Sequence, residues 1–459
     1  MSFLGIDLGT SFIKGAVLNL EKRRLEHIRR MPFPEPVSTR DPLRCEFEPQ
    51  KILQAFQALI AELAPLAPEC EGVVMCTQMH GLVLMNDRHQ AVSNCVTWRD
   101  HRALAPQPSG AGSYFDAILA RTTAEERTQL GNELEAPRPI CFLFCFQQDG
   151  KLAPGLIPAS IPDFVLSALS GEDPGVDATN ASSYGAFNLQ TGDWHHEVIQ
   201  KLGLDRLRWP KIGKQGEVAG RVQVGSRAVP CYAPVGDAQA ALAGSLLSTE
   251  ELSLNIATGA QVSRLSRELR SGDYPTRPYF DGMFLNSFSD PPAGRSLNVL
   301  VALLTEMADA QNVALPDPWA YIAQAVEKVP DTDLKLDLNF FSVSDGASRK
   351  LGNIRADNLT VGHLFRAAFR NMADRYYRCA LQLWPEKSWK NLLFSGGVVC
   401  RLESLREEIQ GKFRSRYRIT SNPDDTLFGL LILASVCSGR STSVEQLSNE
   451  LRALERAPS

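Results

Sequence analysis

Apolar and polar positions alternate over residues 4–14, where Leu-Gly-Ile-Asp-Leu runs into Gly-Thr-Ser and resumes as Phe-Ile-Lys. Two apolar runs joined by small polar residues predict a β-hairpin with Gly9, Thr10 and Ser11 at its tip. A polar turn at 21–24 then leads into a third strand near 25–31. The period changes over 46–63, where Ile52, Leu53, Phe56, Leu59, Ile60 and Leu63 recur at helical spacing, and 72–76 is an apolar run of strand length. Strand, helix and strand in that order predict an α/β fold. Gln78-Met79-His80-Gly81 follows the strand at 72–76, and Trp98-Arg99-Asp100 ends a second strand-like segment. Open α/β sheets bind their ligands at such strand ends.

Residues 110–112 and 150–159 read as loops, 161–169 as a short helix, and 177–192 as irregular or hairpin structure. A buried strand at 229–235 ends on Gly236-Asp237 and is followed by a helix rich in Ala and Leu at 238–247. The hairpin pattern then returns: 252–262 reads Leu-Ser-Leu-Asn-Ile-Ala-Thr-Gly-Ala-Gln-Val, with Thr258-Gly259 at the turn. Helices are predicted at 297–309, 361–383 and 402–413, and a strand at 391–394 enters Ser395-Gly396-Gly397 before a helix near Arg401. The 459 residues are too many for one core and suit two domains of about 200 residues. Two similar hairpins predict two similar domains, 1–247 and 248–459.

Composition narrows the function. Apolar residues make up 44% and charged residues 22% of the chain, with a net charge of -4. Lys and Arg are scattered, so no basic face marks a nucleic acid or membrane partner. No apolar run reaches the roughly 18 residues of a membrane-spanning helix, and the N-terminus lacks a signal segment, which together predict a cytoplasmic protein. The ten cysteines lie mostly in apolar runs without paired zinc spacing. Cys141 and Cys145, four apart among Phe142, Phe144 and Phe146, read as helical core.

The polar clusters suggest chemistry. At the first turn, Gly9 lets the backbone approach a ligand, Thr10 and Ser11 offer donors to phosphate oxygens, and Asp7 is placed for a hydrated magnesium ion. Read alone, the segment is more simply an ordinary N-terminal hairpin. Asp237 opens a helix directly after a buried strand, where the dipole favours a carboxylate; such a group is a helix cap or a general base. Gln78, Met79 and His80 offer an amide, a thioether and an imidazole suited to sugar hydroxyls, and Trp98 offers an apolar plate beside Arg99 and Asp100.

Taken in order, Asp7-Leu8-Gly9-Thr10, Gln78-Met79-His80-Gly81, Trp98-Arg99-Asp100, Gly236-Asp237, Thr258-Gly259 and Ser395-Gly396-Gly397 resemble the FGGY family of carbohydrate kinases along nearly the whole chain. The resemblance implies two ribonuclease-H-like domains of the actin and hexokinase type flanking a cleft for ATP and sugar. It implies Asp237 as catalytic base and sugar contact, Asp7 at the magnesium ion, and Gln78, Met79, His80, Trp98, Arg99 and Asp100 around the sugar. ATP falls to Gly9, Thr10, Ser11, Lys14, Thr258, Gly259, Gly396 and Gly397. Within the family, Gln-Met-His-Gly is shared by xylulokinases and sedoheptulokinases. Residues 177–188, Gly236-Asp237-Ala238-Gln239 and 359–370 look more like sedoheptulokinases. Xylulokinases typically carry Lys and Trp where 138–146 reads Arg-Pro-Ile-Cys-Phe-Leu-Phe-Cys-Phe, and Ser395 stands in place of a first glycine. The expected reaction is ATP- and Mg2+-dependent phosphorylation of a ketose at its terminal hydroxyl, sedoheptulose first and xylulose as the alternative. A silent sugar- or nucleotide-binding regulator is the rival class. The expected partners are the ketose and ATP, with a homodimer as the assembly considered.

Overall fold

The computed structural model describes residues 2–108, 110, 112–289, 291–341 and 350–456. Strand Ser2–Leu8 lies inside the first sheet, antiparallel to Phe12–Asn19, which is itself antiparallel to Arg24–Pro32. On its other side it runs parallel to Cys70–Thr77, which is followed by Arg227–Tyr232 and, at its far end, Val235–Gly236, both parallel. The second sheet repeats this plan. Glu251–Ile256 is antiparallel to Ala260–Ser266, which pairs antiparallel with Phe284–Ser289, and is parallel to Asn391–Ser395, which leads to Arg416–Ile419. Thr276–Pro278 forms the outer edge beside Phe284–Ser289. Three antiparallel strands followed by parallel ones, twice over, are the two ribonuclease-H-like halves expected from the paired hairpins.

Several elements differ from expectation at their ends. The helix expected from 46 begins at Pro49, because proline at the first helical position is already fixed near helical φ; Glu46–Phe47 instead pairs with Cys95–Val96. The strand expected over 229–235 is split into Arg227–Tyr232 and Val235–Gly236, with Pro234, which has no amide to donate, just before the second piece. Ile157–Ala159 pairs with Val83–Met85 rather than looping, and 177–192 contains the helical turn Ala178–Ala181 and the hairpin Phe187–Asn188 with Asp193–Trp194. A short helix, Gly397–Arg401, precedes Glu403–Phe413. Gly110 and Gly112 take positive φ in their loop, and Ala111 between them lies outside the described residues. Cys141 and Cys145 sit on the buried helix Pro139–Gln148, and burial pushes the Cys145 thiol up to about 12, as befits core rather than redox chemistry. None of the helices among the described residues is long and apolar enough to cross a membrane.

Helix Asp425–Cys437 has no apolar stripe because it is buried all round. It packs with Asp237–Gly244 in a core that draws Phe3, Leu18 and Val74 from the first sheet and Leu265, Leu285 and Leu393 from the second. The two helices cross at glycines. A Cβ on Gly429 would lie 1.8 Å from Ala240 O, and one on Gly244 would lie 1.8 Å from Asp425 O. That contact fixes the start of Asp237–Gly244 against both sheets.

Candidate active site

Three parallel strand ends bring the first group of residues together. Asp7 is opposite Cys76 in the register of Ser2–Leu8 with Cys70–Thr77, and Gly236 is opposite Thr77 on the other side. Asp7, Gln78 and Asp237 therefore leave one edge of the sheet side by side. A Cβ at Gly9 would stand 3.0 Å from Phe12 O and 3.7 Å from each Asp7 carboxylate oxygen, so the glycine keeps the space beside that carboxylate open. Gln78 Nε2 donates to Gly9 O at 3.2 Å, Thr10 Oγ1 donates to Gln78 Oε1 at 3.3 Å, and Trp98 Nε1 donates to Thr10 Oγ1 at 3.1 Å. Gln78 and Trp98, expected at the sugar, thus also clasp the first turn. Ser11 is exposed at its tip.

Lys14 Nζ lies 3.1 Å from Asp7 Oδ2 and 2.9 Å from Asp424 Oδ2. Burial opposes its charge, but the two carboxylates outweigh burial and hold its pKa above the ordinary lysine value. Asp424 had no place in the sequence reading. Its other oxygen caps the crossing helix by accepting from Leu427 N at 3.2 Å, and Asn-Pro-Asp-Asp before an apolar run is a helix-start signal.

Asp237 is the first residue of Asp237–Gly244, with Gly236 as its cap residue. Its Oδ1 accepts from Ala238 N at 2.8 Å, and the strand beneath it is held by Gly236 N donating to Thr179 Oγ1 at 3.1 Å. Desolvation first, and the charge of Asp7 second, push the Asp237 carboxyl up to about 7 from its ordinary 3.8. Asp7, buried beside it, is also raised by burial, with Lys14 pulling the other way. Two carboxyls that repel each other at neutral pH, one with a proton affinity near that of the medium, suit a general base next to a cation-binding group.

His80 adopts a left-handed φ of 69°, and its Nδ1 lies 2.8 Å from Ser183 O. A carbonyl only accepts, so Nδ1 carries the proton. Burial first, then the charges of Arg138 and Arg277, hold the ring well below its usual pKa, leaving a neutral imidazole whose Nε2 accepts. Met79 Sδ faces Gly236, 3.4 Å from where a Cβ would stand.

Arg99 is exposed, and Asp100 is placed contrary to expectation. Asp100 is fully buried; Oδ2 accepts from Cys45 N at 2.8 Å and Arg102 Nη2 at 2.7 Å, and Oδ1 from Arg102 N and Nε. With both oxygens engaged inside the fold, it anchors the loop carrying Trp98 and does not reach for a sugar. A charged neighbour of an aromatic plate gives no sign in sequence of which way it turns.

In the second sheet, Thr258 and Gly259 are exposed at the hairpin tip and line an open cavity of about 740 Å³ with Arg295, Phe341 and Arg375. Gly396 follows the strand paired beside that hairpin, with φ 92° and room for no side chain: a Cβ would sit 2.5 Å from Ile256 O. The Thr258-Gly259 turn and Gly396-Gly397 are thus neighbours.

Asp7 is the residue that could hold a magnesium ion. Among the described residues no cluster of three or more potential metal ligands occurs, and Asp7 with phosphate and water oxygens is the sparse coordination that magnesium accepts.

Residues 2–107 match the model of the FGGY family of carbohydrate kinases, N-terminal domain. Human sedoheptulokinase is 26% identical over 463 aligned residues, covering 89% of this chain and 92% of its own length. The fold is similar to xylulose kinase from Lactobacillus acidophilus, with TM-score 0.82 and 18% identity over 98% of this chain and 91% of that one. It is equally similar to Plasmodium falciparum glycerol kinase with ADP, with TM-score 0.83 and 15% identity over 100% and 93%. The paired hairpins and facing strand ends thus go with a match of residues 2–107 to the N-terminal domain of FGGY carbohydrate kinases and with similarity to a sedoheptulokinase along 89% of the chain.

Proposed function

We propose that the protein transfers the γ-phosphoryl group of ATP to the terminal hydroxyl of a ketose, with sedoheptulose preferred and sedoheptulose 7-phosphate as product. The observation that carries the reading is the place of Asp237, a carboxyl at the start of a helix and the end of a strand paired beside Cys70–Thr77, close enough to Asp7 for its charge to raise the pKa. In this mechanism the sugar lies over Met79 and His80, whose neutral Nε2 accepts from a hydroxyl. Asp237 takes the proton of the attacking hydroxyl as its oxygen bonds to phosphorus, and the bond from phosphorus to the bridging oxygen breaks to release ADP. The Thr10 and Thr258 turns grip the phosphates from opposite domains, with Lys14 beside the first. Asp7 would hold a magnesium ion, which would supply charge neutralisation for the polyphosphate. The described cysteines are free thiols, which supports a reducing, cytoplasmic setting.

The test is ATP consumption across a panel of ketoses. Sedoheptulose is expected to exceed xylulose in kcat/KM by at least about tenfold, roughly 1.4 kcal/mol of transition-state binding, because a site that pairs the hydroxyls of a seven-carbon sugar would leave polar groups unpaired with five. Equal or reversed preference removes the substrate assignment, and no turnover with any ketose removes the activity.

Asp7→Ala is expected to weaken the dependence of rate on magnesium and to leave sugar binding without nucleotide nearly unchanged, since its proposed contact is with metal and phosphate. A magnesium titration of the rate and sugar calorimetry check this. Lost sugar affinity with unchanged magnesium dependence would move Asp7 to the sugar side.

A further inference from the structure

Edge strand Thr276–Pro278 of the second sheet is inserted into the first domain. Thr276 N donates to Gly131 O at 2.9 Å, Asn132 Nδ2 donates to Gly272 O at 2.7 Å, and Gln239 Nε2, two residues after Asp237, donates to Pro278 O at 3.2 Å. Between these ties stands Arg277, whose side chain is 7% exposed, with Nε donating to Glu133 Oε1 at 2.6 Å. Glu133 is wholly buried, and its Oε2 lies 3.3 Å from Arg138 Nε.

The guanidinium has donors to spare. Among the described residues, only Nε of Arg277 is hydrogen-bonded, and Nη1 and Nη2 are not among the sealed-in atoms that lack a partner, so they keep contact with solvent. Two buried polar atoms beside His80 and Gly236 lack hydrogen-bond partners, Ser183 Oγ and Gln239 Oε1. Ser183 is the residue whose carbonyl takes the His80 proton, and Gln239 Oε1 is 2.4 Å from where a Cβ on Gly236 would stand. Arg277 is near enough to both catalytic neighbours to depress the His80 and Asp237 pKa values. Buried polar groups are rarely left unpaired, so two beside His80 and Gly236 suit a polar ligand there.

We propose that Arg277 is a sugar-binding residue supplied by the second domain, its terminal nitrogens donating to hydroxyls of the substrate seated at His80 and Asp237. This rests on the reading of the protein as a sugar kinase. Glu133 already balances the Arg277 charge, so the pair suits a neutral polyol rather than a phosphate, for which Lys14 and the two turns are placed. Because Arg277 belongs to the second sheet while Glu133, His80 and Asp237 lie in the first domain, the sugar completes a hydrogen-bond set spanning both domains.

Arg277→Lys, which retains a cation for Glu133 and loses the planar fork, and Arg277→Gln are to be titrated with sedoheptulose and with xylulose by calorimetry without nucleotide. Steady-state kinetics and thermal unfolding accompany the titrations. For Arg277→Lys we expect sugar Kd and KM to rise at least about tenfold, as when a site loses a hydrogen-bond donor to its substrate, with KM for ATP within about twofold of wild type. Unchanged sugar affinity in a folded Arg277→Lys protein overturns the proposal and leaves Arg277 as an interdomain tie whose neighbours are completed by water. A rise in KM for ATP instead also overturns it and puts Arg277 on the phosphate side. If the wild-type protein binds neither sugar, the kinase reading and this inference fail together; if it binds and turns over a sugar but the variant is unaffected, this inference alone fails.

Discussion

Asp237→Asn is expected to lower kcat by about 10² to 10⁴-fold while leaving KM for ATP nearly unchanged. The substitution keeps the shape of the residue and its contact with Ala238 N while removing the basic oxygen. The same residue makes activity pH-dependent. With its carboxyl at about 7, kcat/KM for the wild type should climb as pH rises through 7 and the base ionises, and that limb should vanish from the residual activity of the variant. Stability should run the other way. A carboxyl that binds its proton more tightly folded than unfolded favours folding below its ordinary 3.8, and that contribution is lost as pH rises through about 7. Asn carries no such penalty, so the variant should melt higher than wild type at pH 8, with the difference closing towards pH 4. A variant retaining more than half of wild-type kcat, with chemistry rate-limiting, would reduce Asp237 to a helix-start residue.

The largest effect on stability is expected at Gly429. A methyl group there would meet Ala240 O at 1.8 Å, and the obstacle is backbone of a helix pressed between two sheets, which has nowhere to move. Gly429→Ala should therefore lower the unfolding free energy by about 3 kcal/mol or more, the upper range of overpacking. Gly411, on the exposed side of Glu403–Phe413, provides the control: a Cβ there meets nothing within 4 Å. Gly411→Ala should raise stability by about 0.5–1 kcal/mol through helix propensity alone. Chemical denaturation of the two variants beside the wild type checks both. Equal effects would mean that the crossing opens more freely than its geometry indicates.

Much of this arrangement was legible in the chain. The hairpins at Gly9-Thr10 and Thr258-Gly259 announce themselves through alternation interrupted by small polar residues, and they imply a duplicated architecture. Helix Val361–Leu383 is legible because one face alone is buried and the period survives. Helix Asp425–Cys437 escaped for the opposite reason: surrounded by core, it carries no period to read. With it went Asp424, the second carboxylate on Lys14. Arg277 and Glu133 were invisible for a different cause, since a buried ion pair between residues far apart in the chain leaves no local pattern. Asp100 shows the converse limit, a residue whose type fitted the sugar and whose side chain is committed elsewhere.

The helix Asp425–Cys437 has a consequence for how the protein is made. Phe3, Leu18 and Val74 are synthesised long before Leu427, Phe428 and Leu431, which belong to the surface that covers them. Lys14 likewise waits for Asp424, 410 residues later. While the ribosome works through the intervening chain, one face of the first sheet remains uncovered, an apolar surface open to misassociation. The nascent chain thus spends most of its elongation time dependent on whatever shields that face, and the first half completes its fold only after nearly all of the second has emerged.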